Sequence, residues 1–399
     1  MQNVIRLGAR AVRTVSFGVA LLFGSSLVST SHAQQPPPSV SLSWGIDTTV
    51  TDIRNIVSLV RAYLAKPDSS ARSRGLWSTS TDFDRRVGDL TVNAYQGFPA
   101  TIVGITPDAS GDGAYVVKIL HASADSTRRR ITPLALQRLY AVREAGGPFS
   151  FKLASALPRL TSHWERRSQG RLRFIYAPGQ HPNPERIDRA AAFVDSVTKL
   201  FRVPAPTHLD VYITASIDEA ERAIGFDFSV QAGDGRGGKT LTQFNTILAG
   251  DPRTGEAYLH EFVHAVLVPT FPFNNGIFNE GVATWLGGSQ ARTPQQMYAL
   301  LRQYQIARPT LTISKFLRED PPDAGAQAWS DADRATSALV VDTIYRRRGI
   351  DGLRAFALLK HDTDTLLAAL PTQLGLASAD PAALDRWWRI EAERASRGP

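Results

Sequence analysis

The sequence predicts an α+β fold in two parts, a small α+β domain followed by a larger one whose mixed sheet gives way to helices. Three observations carry the prediction. Residues 114–121 and 139–143 have the period-two pattern of strands and follow one amphipathic helical stretch at 52–64, which places a small α+β domain at residues 34–150. Residues 171–176 and 209–214 are strand-like, and each is followed by a helical stretch, 182–201 and 217–224, so strands and helices alternate within an upper lobe spanning 155–290. Beyond Gly288 helical periodicity takes over, and residues 291–399 are expected to form a helical lower lobe.

Residues 1–33 stand outside this fold. Arg6, Arg10 and Arg13 precede an apolar run at 15–28, and Ser31-His32-Ala33 gives a small-x-small cleavage site, so a signal peptide is expected and with it export to a periplasm or secretion. The run is too short and serine-rich to span a bilayer, and no later stretch is apolar enough, so no membrane span is expected once the leader is removed. The net charge is +8, and the leader's three arginines leave +5 for the rest. Arg128-Arg129-Arg130 and Arg346-Arg347-Arg348 lack interleaved aromatics, so they read as solvated loops and helix ends and nucleic-acid binding is not indicated. The absence of cysteine excludes disulfides and thiolate-bound zinc. With 43% hydrophobic residues, burial alone can supply two cores.

After a linker at Pro36-Pro37-Pro38, the helix at 52–64 sets Ile53, Ile56, Val57, Val60 and Leu64 on one face. Gly146-Gly147-Pro148 turns the chain into a strand at 149–153. This first domain is assigned no chemistry, and His121 reads as a strand residue rather than a ligand. His163, His181 and His208 fall near turns and read as solvent-facing. In the C-terminal part, helices are expected at 293–307, 313–317, 331–348, 353–360 and 382–395, with the fourth set apart from the third by Gly349. The pair Trp387-Trp388 is expected to dock the last of them.

The chemistry is concentrated in Leu259-His260-Glu261-Phe262-Val263-His264 and in Asn279-Glu280-Gly281-Val282-Ala283. Leu259, Phe262, Val263, Val266 and Leu267 mark a buried helical stripe, begun at Asp251-Pro252 or Thr254 and ended before Pro269. Four residues apart on that helix, His260 and His264 share a face and can hold one metal ion. Glu261 is turned away from the pair yet within reach of water held there. Asn274-Asn275-Gly276 turns the chain into a second helix expected from about Asn279 to Gly287, with Glu280 in its first turn as third ligand. Two histidines and one glutamate leave a fourth zinc position open, which distinguishes catalytic from structural zinc.

These two motifs, spanning 259–285, resemble the gluzincin zinc metallopeptidases, the peptidase MA-like group related to thermolysin and the zinc aminopeptidases. The resemblance implies Zn2+ held by His260, His264 and Glu280, with Glu261 as general base and a peptide or protein as substrate. It implies a zincin-type fold whose helical lower lobe closes under the metal, and hence an exported zinc-dependent peptidase. The Gly-x-Met-Glu-Asn element of the aminopeptidases is absent, the only methionines being Met1 and Met297, which favours an endopeptidase over a typical aminopeptidase. In the family an edge strand beside the zinc helix pairs with extended substrate, a role expected here of residues 245–249 and so of Asn245, Thr246 and Ile247. Trp329 stands about where relatives often carry the transition-state tyrosine. Tyr258, Tyr298, Tyr304 and Tyr345 are the candidates for that role, with Tyr258 nearest in sequence.

Two other readings compete. One is a zinc-retaining but non-catalytic binding or scaffold protein of the cell envelope. The other rests on Gly233-Asp-Gly-Arg-Gly-Gly238-Lys239-Thr240, which fits G-x-x-x-x-G-K-[ST], so that Lys239 and Thr240 would serve phosphates and magnesium in a P-loop. A glycine-rich loop before a strand accounts for the same residues.

Overall fold

The structure, a computed structural model, describes residues 40–65, 75–78, 87–88, 95, 98–124, 131–144, 149–230, 235, 237–319, 325–360 and 362–398. The leader, the triple proline, Arg128-Arg129-Arg130, the turn at Gly146-Gly147-Pro148 and most of Gly233–Arg236 lie outside the described residues. In chain order the elements begin with β1 (Val40–Leu42), α1 (Thr51–Leu64), β2 (Ala100–Pro107), β3 (Tyr115–Ala124), β4 (Ile131–Arg143), β5 (Phe151–Ala154) and α2 (Ala156–Leu160). Next come β6 (Glu165–Gln169), β7 (Leu172–Tyr176), α3 (Pro184–Phe201), β8 (Leu209–Ile213), α4 (Ile217–Ala223), β9 (Phe226–Ser229), β10 (Gly238–Leu241) and β11 (Thr246–Ala249). Helices close the chain: α5 (Leu259–Leu267), α6 (Gly276–Gly287), α7 (Pro294–Ile306), α8 (Ile313–Arg318), α9 (Ala326–Ala357), α10 (Thr363–Gln373) and α11 (Pro381–Ser396). The class is α+β, as predicted. Among the described residues no helix is long and apolar enough to cross a membrane.

Two compact units divide the chain, and not where hydrophobic periodicity suggested. The first comprises the described residues up to Trp164 together with those of 216–235, and the second comprises Glu165–Ala215 and the described residues from Gly237 on. Helix α4 and strand β9 therefore leave the upper lobe expected at 155–290 and join the first unit. Their attachment is local and physical. Strand β9 pairs antiparallel with β4, and Gly225 approaches β4 so closely that a Cβ there would sit 2.5 Å from the Arg138 carbonyl oxygen. In this unit β1 to β5 form one sheet in sequence order, antiparallel except for the parallel pair β1–β2. Helix α1 buries Ile56, Val57, Leu59, Val60 and Tyr63, a stripe one face wide.

The second unit holds a mixed sheet in the order β10-β11-β8-β7-β6. Its inner strands β11, β8 and β7 run parallel, and β10 and β6 are antiparallel at the two edges. Helix α3 starts where Asn183 Oδ1 accepts from Arg186 N and Pro184 fixes the first turn. It buries Ala190, Val194, Val197 and Phe201 in the core that also takes in β7, β8 and α5. This order corrects the assignment of 245–249 as an edge. All four residues of β11 are buried between β10 and β8, so Thr246 and Ile247 present no free backbone edge, and Gly238–Leu241 takes the edge instead.

Below the sheet the helices share one core. Helix α9 runs from Ala326 to Ala357 with a break at Gly349 (φ 62°, ψ −159°), joining two segments that the sequence separates. Trp388 on α11 is fully buried, donates Nε1–H to Thr336 Oγ1 at 3.1 Å and stacks on Phe316.

Candidate metal centre

The chain reaches the centre through a tight turn rather than an early helix start. Gly255 has φ 50°, a left-handed conformation that breaks continuous helix, so α5 begins at Leu259 instead of near residues 251–254. Helix α6 starts earlier than expected. Asn275 caps it by accepting from Phe278 N at 2.7 Å, so the helix opens at Gly276 and Glu280 lies in its second turn. Two glycines let α6 lie close to its neighbours. A Cβ on Gly287 would meet His260 N at 2.5 Å, and one on Gly281 would meet the Ser337 carbonyl oxygen on α9 at 2.5 Å.

This close packing brings the three predicted ligands together. One donor atom each of His260, His264 and Glu280 lies within 4.8 Å of the others. The two Nε2 atoms are 3.2 Å apart, and each is 3.5 Å from one of the two Glu280 carboxylate oxygens. Both imidazoles are buried. Their far nitrogens are engaged: His260 Nδ1 pairs with the Gly288 carbonyl at 2.8 Å, and His264 Nδ1 with Asn279 Oδ1 at 3.1 Å. Those acceptors place the ring protons on Nδ1 and leave both Nε2 lone pairs facing each other and a carboxylate. Lone pairs and anionic oxygens converging in a buried site repel unless a cation lies among them, and the donor set of two imidazoles and one carboxylate is that of zinc.

The electrostatics agree with that arrangement. Burial disfavours an imidazolium at His260, but the Glu280 carboxylate outweighs burial and raises its pKa. His264, buried and opposed by His260, is lowered. Burial would also raise Glu280, but positive charge at His260, His264 and Arg334 holds it well below the usual carboxylate range, the protonated imidazoles supplying the charge that a bound cation would replace. Asp333, next to Arg334 in sequence, is pushed up to about 7 by burial and by the Glu280 charge.

Glu261 projects from the same helix toward β10. Thr240 Oγ1 lies 2.7 Å from its Oε2 and 2.9 Å from its carbonyl oxygen. Gly238 makes room, since a Cβ there would fall 2.5 Å from the Tyr258 ring and 2.9 Å from Glu261 Cγ. This placement overturns the P-loop reading. Lys239 and Thr240 lie on strand β10, which runs into a short turn at Thr242–Phe244 and not into the helix N-terminus a phosphate would need.

Of the tyrosines considered, Tyr258 feels the charges of the site: burial, then the carboxylate of Glu261, raise its pKa. Tyr298 is raised by burial and then by Asp342, Tyr304 packs under Arg308 and against Phe316, and Tyr345 packs on Trp285. Trp329 packs on Phe316 in the core. His163, His181 and His208 are exposed, and His121 is buried in β3. Asn279, the Gly288 carbonyl and Thr240, which hold the ligands and the base, were not assigned these roles from sequence. Asn279 stands inside the quoted motif, but the other contacts depend on chain separations that no local pattern encodes.

No protein-family profile matches the chain, and no curated protein matches it in sequence. Among solved structures it is similar to an M1 zinc metallopeptidase from Deinococcus radiodurans (14% identity, TM-score 0.32, 76% of this chain and 65% of that one). It is likewise similar to a variant of an M1 zinc metallopeptidase from that organism bound to a Tyr-Ser-Ala substrate (14% identity, TM-score 0.33, 74% of this chain and 63% of that one). A two-domain M1 zinc metallopeptidase variant bound to L-tryptophan matches at 15% identity and TM-score 0.32, over 73% of this chain and 63% of that one. The chain thus spans less than two thirds of the length of these proteins. At such TM-scores the likeness carries no weight, and the functional case stands on the site's own geometry.

Proposed function

We propose that this chain is an exported zinc-dependent peptidase in which His260, His264 and Glu280 hold Zn2+ and Glu261 is the general base. The observation that supports this best is the convergence of two Nε2 lone pairs and one carboxylate, with a second carboxylate held beside them on the same helix. When bound there, zinc would acidify a water molecule and polarise the scissile carbonyl. Glu261, steadied by Thr240, takes the proton of the attacking water and passes it to the leaving amine. Backbone groups of edge strand β10, which carries Thr240, pair with an extended peptide and set its scissile bond beside Glu261. The absence of an amine-anchoring motif favours cleavage within a chain over removal of its first residue.

The test is Glu261→Gln in the full-length protein, assayed on casein and on a quenched fluorescent peptide. Zinc content should stay at one ion per chain while kcat falls by about three orders of magnitude or more. Undiminished turnover in the variant removes the proposed base. Zinc bound by a wild type that cleaves nothing points to the non-catalytic binding protein.

A further inference from the structure

Hydrolysis of a peptide bond places negative charge on the carbonyl oxygen as water adds, and a donor aimed at that oxygen is one of the largest single contributions to rate. Sequence reasoning sought a tyrosine for this task. The structure offers a different group. Arg334, on α9, brings its guanidinium Nε to 3.7 Å from Glu280 Oε2, too long for a hydrogen bond. Its Nη1 is buried and has no hydrogen-bond partner among the described residues, although the side chain as a whole is 29% exposed. Buried guanidinium nitrogens are seldom left without acceptors, because the lost hydration is not replaced. An unsatisfied donor beside a ligand carboxylate is therefore suited to an acceptor that arrives with substrate. The guanidinium is rigid, planar and always charged, so Nε can face Glu280 while Nη1 faces elsewhere. Its charge also acts on Tyr258 and His260, so the guanidinium lies near the same cluster.

We propose, on the strength of the peptidase reading above, that Arg334 is the donor that takes up the oxyanion charge. As the water oxygen bonds to the carbonyl carbon, the π pair moves onto the carbonyl oxygen, which accepts from Arg334 Nη1–H once the partly exposed guanidinium turns that buried N–H toward it. The water's proton goes to Glu261. When the C–N bond breaks, that proton reaches the departing amine and the oxygen's electron pair re-forms the carbonyl. Arg334 is unchanged throughout.

The experiment compares two ligands on zinc-loaded full-length protein carrying Arg334→Ala or Arg334→Lys. One is a phosphinic peptide, whose tetrahedral anion imitates the charged oxygen. The other is the matching amide peptide, bound by the Glu261→Gln protein with and without the Arg334 change. Calorimetric affinities and zinc content are read together. The expected result is about a 100-fold loss of phosphinic-peptide affinity in Arg334→Ala, less than about a threefold loss for the amide, and unchanged zinc. Arg334→Lys should recover part of the loss, as should added guanidinium in Arg334→Ala. Should Arg334→Ala not fold, the same comparison in Arg334→Lys decides, with a loss confined to the phosphinic peptide still expected. Equal losses for both peptides, a loss explained by missing zinc, or a selective loss in Tyr258→Phe but not in the Arg334 variants would overturn the assignment. The peptidase reading fails separately, through a wild type that holds no zinc or a Glu261→Gln protein that still turns over.

Discussion

Replacing Gly287 by alanine sets two effects of opposite sign against each other. Gly287 is the last residue of α6 and does not have a left-handed φ, so on helix propensity alone alanine would stabilise by about 1 kcal/mol. The added methyl would lie 2.5 Å from His260 N, 2.7 Å from Leu259 C and 2.8 Å from His260 Cα. All three are backbone atoms that no side-chain rotation can clear. Reaching ordinary contact near 3.4 Å requires α5 and α6 to part by roughly 0.9 Å. Overpacking of this kind costs about 1–3 kcal/mol and outweighs the propensity gain. The same displacement carries Glu280 away from both histidines, while zinc bonds tolerate only a few tenths of an ångström. The expected outcome is a lower Tm, by about 2–6 °C, and zinc affinity reduced about 10–100-fold in chelator competition. A variant with raised Tm and undiminished zinc affinity would refute the close approach of the two helices.

Two further outcomes rest on other contacts. Thr240→Val keeps the shape of β10 but removes the hydroxyl on Glu261, so kcat on a fluorogenic peptide should drop about 10-fold or more with zinc content unchanged; an unaltered kcat would show that Thr240 does not position the base. Burial lowers the pKa of His121 to about 4 from 6.5, so the unfolded chain takes up the proton first. Stability of the first unit is then complete above pH 6.5 and falls by about 3 kcal/mol as pH drops through 4, and urea melts at pH 4.5 and 7.5 should show this slope flattened in His121→Gln.

How much was legible in advance depended on whether the information was local. The His260, Glu261 and His264 spacing, and the helix from Pro184 to Phe201 with its proline start, are written in residues that are neighbours along the chain. Strand β6 could not be read, because Glu165-Arg166-Arg167-Ser168-Gln169 is exposed throughout and carries no apolar alternation. The inner position of β11 was missed for another reason. Periodicity can identify a strand, but its neighbours are set by sheet order, and the polar residues Lys239 and Thr240 disguised the strand that covers it. The return of Ser216–Gly235 to the first unit depends on Gly225 meeting β4, about ninety residues earlier in the chain. Arg334 is equally invisible in one dimension, since only the packing of α9 on α6 brings it near Glu280.

The central claim is that three side chains from α5 and α6 enclose one zinc ion. Zinc K-edge X-ray absorption on the purified protein, with metal content measured on the same sample, addresses it most directly. The account predicts one zinc per chain with two imidazole nitrogens and carboxylate oxygen around it, and loss of that signal in His264→Ala and Glu280→Ala. Zinc absent from the wild type, or retained with the same spectrum in both variants, would contradict it.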